Sequence, residues 1–181
     1  PDKAVTTHPE IVRATAKVVK SIGGIPVIAD SPGGPFNNFN LNKGYRASGL
    51  EKVAKEENIE LNFNTSETKY EFPRGKIKKS FRIADFLKEA DFIINLPKLK
   101  THGLTMYTGG VKNLFGVIPG LAKAEYHLNL EKIDHFSEML IDLAEFVNPE
   151  ITIMDAVLGM EGDGPSGGTT KRFSYIFASK S

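Results

Sequence analysis

Apolar residues recur at helical spacing from Thr7 to Ile22, where Ile11, Thr15, Val18, Val19 and Ile22 define one face. Thr7 and Glu10 fit a capping box, in which hydroxyl and carboxylate serve free backbone donors at the helix start. Gly23 and Gly24 suit its end. Pro26 to Ala29 predicts a short strand, closed by the turn-forming run Asp30-Ser31-Pro32-Gly33-Gly34-Pro35. Phe36 to Lys43 shows no periodicity and reads as an ordered loop, and Ser48 with Glu51 suggests a second capping box for a helix to about Glu57. Leu61 to Asn64 reads as a strand, Tyr70 to Ile83 as two short strands turning near Pro73-Arg74-Gly75, and Ala84 to Ala90 as a short helix. Phe92–Leu96 and Ile151–Asp155 are apolar runs without alternation, expected as central strands buried on both faces. Pro97 closes the first, and the following thirty or so positions are rich in Gly, Lys and His and look least regular. Leu130 to Val147 is the clearest helix, with Ile133, Phe136, Leu140, Leu143, Ala144 and Val147 in one stripe. A glycine-rich loop, Gly159 to Gly168, and a last strand, Phe173 to Ala178, complete the pattern.

Helices alternating with short apolar strands predict an α/β fold, a largely parallel or mixed sheet with flanking helices in a single layered domain over residues 1–181. A length of 181 residues with 40% hydrophobic and 25% charged positions suits one domain with its own core. The chain opens at Pro1 and ends at Ser181, just after a strand-like run, so a longer natural protein is expected. A net charge of +1 argues against a nucleic-acid partner. No apolar run approaches the roughly 20 residues of a spanning helix, and no signal peptide opens the chain, so no membrane partner and a cytoplasmic location are expected. There is no cysteine, which excludes disulfides and cysteine-ligated iron–sulfur clusters within these residues.

Candidate chemistry gathers in three segments that each follow an expected strand: Asp30–Pro35, Pro97–His102 and Gly159–Gly168. In open α/β sheets ligands sit beyond the carboxyl ends of strands, so the three are expected to form one concave site. Lys98, Lys100, His102 and Lys112 supply positive charge, and Gly33, Gly34, Gly109 and Gly110 supply backbone amides for an anion. Asp30, Ser31, Asn113 and Glu161 are further ligand-binding candidates, while Lys98, His102 and Asp155 are the candidates for catalysis. Neither a P-loop nor a GxGxxG fingerprint is present. His102 and His127 lie in the irregular region, where either imidazole has the chemistry of a general acid or base; His8 and His135 read as structural and exposed. A metal site from His102, His127 and Glu125 is conceivable by donor type, but no histidine pair has the spacing of a helical metal motif, and no metal is assigned.

The run from Asn95 to His102, then Gly110-Val111-Lys112-Asn113-Leu114-Phe115-Gly116, resembles the central signature of the family called domain of unknown function 362. Ile153 to Ala156 with Gly159-Met160-Glu161-Gly162 and Gly164-Pro165 resembles its second signature, and Asp30 to Gly34 its first. The resemblance implies an association with iron–sulfur proteins, since many relatives carry an added ferredoxin-like cysteine module. Two readings remain open. One is a domain that binds a small anionic ligand, belonging to a redox-associated enzyme. The other is a non-catalytic module that docks an iron–sulfur or electron-transfer partner.

Overall fold

The structure, a computed structural model, describes residues 2–130 and 132–180. Both chain ends therefore lie outside the described residues, as does Glu131, the second position of the helix expected from Leu130. The described chain is α/β with a mixed sheet. Its elements are α1 (Pro9–Ser21), β1 (Val27–Ile28), α2 (Asn38–Ser48), α3 (Leu50–Glu57), β2 (Glu60–Leu61), β3 (Glu67–Glu71), β4 (Ser80–Ala84), β5 (Ile94–Asn95), β6 (Lys98–His102), β7 (Met106–Thr108), α4 (Gly110–Asn113), α5 (Gly120–Asn129), α6 (Ile133–Val147), β8 (Ile151–Glu161) and β9 (Thr169–Lys180). Short 3₁₀ turns occupy Asp85–Leu87, where a helix to Ala90 was expected, and Leu114–Val117.

The organising strand is β8. β5 and β6 run parallel to it on one side and β9 antiparallel on the other, while β7 pairs antiparallel with the far edge of β6. Ile94 lies opposite Ile151 and Lys98 opposite Asp155, the same offset, so β5 and β6 are two lengths of one interrupted strand. Pro97, which has no N–H to give, sits at the interruption, and its carbonyl accepts from the Asp155 amide at 2.9 Å. The expected strand 92–96 is thus shortened to two residues. It has no partner on its other flank among the described residues, and Phe92 is 60% exposed, so this strand is not central. The 151–155 run is central and continues to Glu161, which leaves 162–168 as the turn. Among the described residues β9 is an open edge, exposed along nearly all its length.

Five local expectations are corrected. Helix α1 is capped by His8, whose side chain accepts from the Glu10 amide, while Thr7 instead donates to the Leu96 carbonyl at 2.6 Å. The buried stripe of α1 is Val12 and Ala16; Val18 and Ile22 face solvent, because α1 packs on α3 through the small Ala16 and Ala54 side chains. Residues 38–48 are helical rather than loop, since Asn37 caps the Asn40 amide and Leu41, Tyr45 and Ser48 recur on one buried face. Gly49, not Ser48, precedes α3, and the Ser48 hydroxyl donates back to Tyr45. The supposedly irregular stretch after Pro97 is regular, holding β6, β7, α4 and α5.

The main core packs Phe136, Met139, Leu140, Leu143 and Val147 of α6 against Phe72, Phe81 and Ile83 of the β3–β4 hairpin and Leu114, Phe115 and Ile118. One polar residue on the buried side of α6 ties this together. Asp142 accepts from the backbone amides of Lys76, Ile77 and Lys78 at 2.6, 2.6 and 2.8 Å, closing the hairpin turn onto the helix. Burial pushes this carboxyl up, but the three amides and nearby Lys79 outweigh it and hold it below the usual carboxylate range. Asp142→Asn keeps the shape and loses the charge, and is expected to cost about 2–4 kcal/mol in urea unfolding. Because the folded value is depressed, the wild-type contribution is full above the ordinary carboxylate pKa and lost as pH falls through the folded one. The gap between wild type and Asp142→Asn should therefore close on the acid side.

Candidate functional site

A β-strand points alternate residues to one face, and in β6 those residues are Lys98, Lys100 and His102. Each has a different fate. The Lys98 ammonium donates to Asp155 Oδ2 at 2.7 Å, with 3% and 0% of the two side chains exposed. Asp155 also accepts from the His8 amide at 2.8 Å and the Val157 amide at 3.1 Å. Burial raises its carboxyl, but Lys98 and the two amides prevail and hold it below the ordinary range. The Lys100 ammonium donates to the Val5 carbonyl at 2.6 Å; burial and Lys98 lower its pKa, with Asp30 pulling the other way. His102 Nδ1 accepts from the amides of Leu104 and Thr105 at 3.1 and 3.2 Å, which leaves Nε2 as the protonated, donating nitrogen. Burial, then Lys112, His127 and Lys100, push His102 down to about 4, so it is neutral at physiological pH.

Two helices bring further cations to this face. Lys112, on α4, holds its ammonium 4.7 Å from the centre of the Phe115 ring and 5.9 Å from that of Phe136. His127, on α5, uses the same rings: it stacks on Phe136 at 4.6 Å and meets Phe115 edge-on at 5.6 Å. Lys123 stands one helical turn before His127, and its ammonium donates to the Ser31 carbonyl. Burial, Lys123 and Lys100 lower Lys112 to about 8. The Phe115 face attracts the charged ammonium and works against that fall. Lys123 and His127 are lowered as well, chiefly by burial. Among the described residues, none of Lys100, Lys112 and Lys123 is in a salt bridge.

The Asp30 loop closes one side. Ser31 is buried and donates to the Ile118 carbonyl at 3.0 Å. Gly34 lies so close to the start of α5 that a Cβ on Gly120 would overlap its carbonyl oxygen. Asp30 accepts from the Ser31 amide at 2.7 Å and is the carboxylate felt by both Lys100 and Lys123. On the other side the 162–168 turn docks on the end of β6, where the Gly103 amide donates to the Gly164 carbonyl at 3.1 Å. A Cβ on Gly164 would collide with the Thr101 backbone.

Of the residues singled out from sequence, Asp30, Lys100, His102 and Lys112 share one electrostatic neighbourhood. Lys98 and Asp155 form the buried pair beside it. Gly33 is open to its surroundings, while Gly109 packs under the Tyr107 ring and Gly110 approaches Thr152. Asn113 donates to Asn95 at 2.8 Å, and exposed Glu161 pairs with Lys171 at 3.0 Å across β8 and β9, so neither is drawn into the lysine group. Lys123 is the residue that sequence reasoning does not find, because its place depends on the Asp30 loop closing on α5. The conceived His102, His127 and Glu125 metal set is not assembled, since Glu125 lines a separate cleft with Lys69, Lys78 and Arg82. Among the described residues no group of three or more His, Cys, Asp or Glu is placed to hold a metal ion. An iron–sulfur cluster needs thiolate donors; the chain has none, so its residues do not fit one.

The model of the family described as domain of unknown function (DUF362) matches residues 1–181. The chain is 34% identical over 187 aligned positions to the thylakoid-associated protein sll1697 of Synechocystis sp. (strain ATCC 27184 / PCC 6803 / Kazusa). The match covers 99% of this chain and 54% of that relative, so the chain spans about half the relative's length. The chain belongs to the domain of unknown function 362 family.

The Lys98–Asp155 pair generates a direct test. Lys98→Met strands a buried carboxylate and is expected to destabilise the fold by about 3–5 kcal/mol in urea titration. The double variant Lys98→Met/Asp155→Asn should recover much of that loss, because the amide oxygen still accepts from His8 while the buried charge is gone.

Proposed function

We propose that this member of the domain of unknown function 362 family binds a small anion between the end of β6 and the α4–α5 face, in an enzyme-like site. The observation that carries the reading is the group of three partly buried lysines, Lys100, Lys112 and Lys123, with Asp30, among the described residues, as the one carboxylate felt by them. Like charges brought together in a low-dielectric place repel, and a bound anion relieves that cost. Lys100, Lys112 and Lys123 would face the anion, with His102 Nε2–H as a neutral donor. Lys98 and Asp155 would set the position of the strand that presents them. A small carboxylate, phosphate or sulfate fits this donor set. A redox association would depend on residues outside this chain, which supplies no thiolate. A cytoplasmic location belongs to the same reading, and no described helix is long and apolar enough to cross a membrane. The relative's thylakoid association would then reside in its remaining length or in a partner.

One observation favours the docking alternative. Strand β9 offers an unpaired edge and exposes Tyr175, Ile176 and Phe177 to 62, 54 and 49%. A partner strand, such as one from an electron-transfer protein, would cover it. The two readings use different surfaces and do not exclude each other.

Calorimetric titration with sulfate and phosphate tests the anion site. Lys112→Met is expected to weaken binding by about tenfold or more, the loss of roughly 1.4 kcal/mol, with the melting temperature of the free protein hardly changed. Binding favours the protonated lysine, so affinity should fall as pH rises through about 8 in the wild type and lose that dependence in Lys112→Met. Unchanged affinity in Lys112→Met would defeat the reading.

A further inference from the structure

A second set of cations lies where the β3–β4 hairpin meets α5. Lys69 stands directly opposite Arg82 in the hairpin and Glu71 opposite Ser80, so Lys69, Ser80 and Arg82 share one face of the ribbon. Like charges facing each other across an antiparallel pair are destabilising. Each has one glutamate, Lys69 meeting Glu71 at 2.9 Å and Arg82 Nη1 meeting Glu67 at 3.3 Å, but these pairs lie in solvent, where such contacts are weak. Lys78 leaves the turn that Asp142 pins; its amide donates to Asp142 at 2.8 Å, and its ammonium rests 4.8 Å from the centre of the Tyr126 ring. Helix α5 faces this group with Ala122, Glu125, Tyr126 and Asn129, whose spacing of three, four and seven residues puts them on one helical face. The two sides enclose an open cleft of about 170 Å³.

We propose that this cleft binds a small phosphate ester whose organic part carries a hydroxyl. Among the described residues neither the Lys78 ammonium nor the Glu125 carboxylate is in a salt bridge, although both line the same cleft. A gap therefore separates the cations on the hairpin side from the carboxylate on the helix side. Three cations against one carboxylate give the lining an excess of positive charge, which matches a phosphate carrying close to two negative charges. Arg82 has five N–H donors in a planar fork suited to phosphate oxygens, and Lys78 adds a point charge. The Ser80 hydroxyl, on the same strand face as Arg82, is a further donor to the phosphate. A bare anion would leave Glu125 facing negative charge with no donor, whereas an ester with a hydroxyl supplies one, and the Asn129 amide can take part in the same contact. The volume is below the roughly 300–1,000 Å³ of pockets for drug-sized ligands, so it suits a phosphate on a short stem and not a nucleotide. The site uses none of Lys100, Lys112 and Lys123, and it stands independently of the anion site on β6.

The test is calorimetric titration of the full chain with glycerol 3-phosphate, and with methyl phosphate as an ester that lacks a hydroxyl. Glycerol 3-phosphate is expected to bind about tenfold more tightly than methyl phosphate, a preference that should disappear in Glu125→Ala. Lys78→Met should weaken glycerol 3-phosphate by about tenfold or more. Ser80→Asp, which sets a carboxylate in the cleft and leaves every cation in place, should abolish binding. Melting temperatures of the free variants check that each is folded, and two variants on different elements of the hairpin keep the test decisive if one of them is not. Lys112→Met should leave glycerol 3-phosphate affinity unchanged, which separates this cleft from the site on β6. Absence of binding to the wild-type chain overturns the proposal, as does equal affinity for the two esters. Binding that survives Lys78→Met and Ser80→Asp but is lost in Lys112→Met overturns it as well, and assigns the ester to the other site.

Discussion

Taking a lysine and an aspartate out of water costs several kcal/mol per ion, and the cost is recovered only when the two meet in good geometry with their other hydrogen-bonding positions filled. At Lys98 and Asp155 that requirement joins three parts of the chain. β6 brings the ammonium, β8 brings the carboxylate, and the His8 amide at the start of α1 fills the second position on the same oxygen. The Thr7 hydroxyl on Leu96 and the Lys100 ammonium on Val5 draw the same N-terminal segment across the strand. The register of β6 is therefore tied to the pair. A slip of one residue would turn Lys98, Lys100 and His102 to the opposite face together.

The cationic site inherits its order from this arrangement. With Lys98 neutralised by Asp155, the excess charge falls on Lys100, Lys112 and Lys123, and each is depressed mainly by loss of water. The protein answers differently at each one. Backbone carbonyls hold Lys100 and Lys123, and aromatic faces hold Lys112. Burial keeps His102 neutral while the Leu104 and Thr105 amides fix which nitrogen carries the proton. The outcome is a group of donors and cations with little local negative charge to quench it, assembled from strand, loop and helix segments far apart in sequence.

Much of this was legible in the residue order, and the misses have physical reasons. The α/β class, the α6 stripe and the strand at 151–155 follow from periodicity. Asp30, Lys100, His102 and Lys112 stand out by residue type, and their charges act on one another in the fold. Lys-x-Lys-x-His reads as a loop in the sequence because Pro97 precedes it, yet proline interrupts only its own hydrogen bond, and the strand resumes at the next residue. The α2 helix was hidden because three of its first five residues are asparagines, which favour caps and turns; the Asn37 cap and the Leu41–Tyr45 spacing override that tendency. Lys123 could not be ranked above other lysines without knowing that Gly120 lets the Asp30 loop close on α5.

The most direct test of the account is the ammonium titration of Lys112 by lysine-selective nuclear magnetic resonance, with and without sulfate. The account requires a midpoint near 8 in the free protein and a rise when sulfate binds, because the anion stabilises the charged form. A midpoint at the ordinary lysine value of about 10.4, unmoved by sulfate, would contradict it.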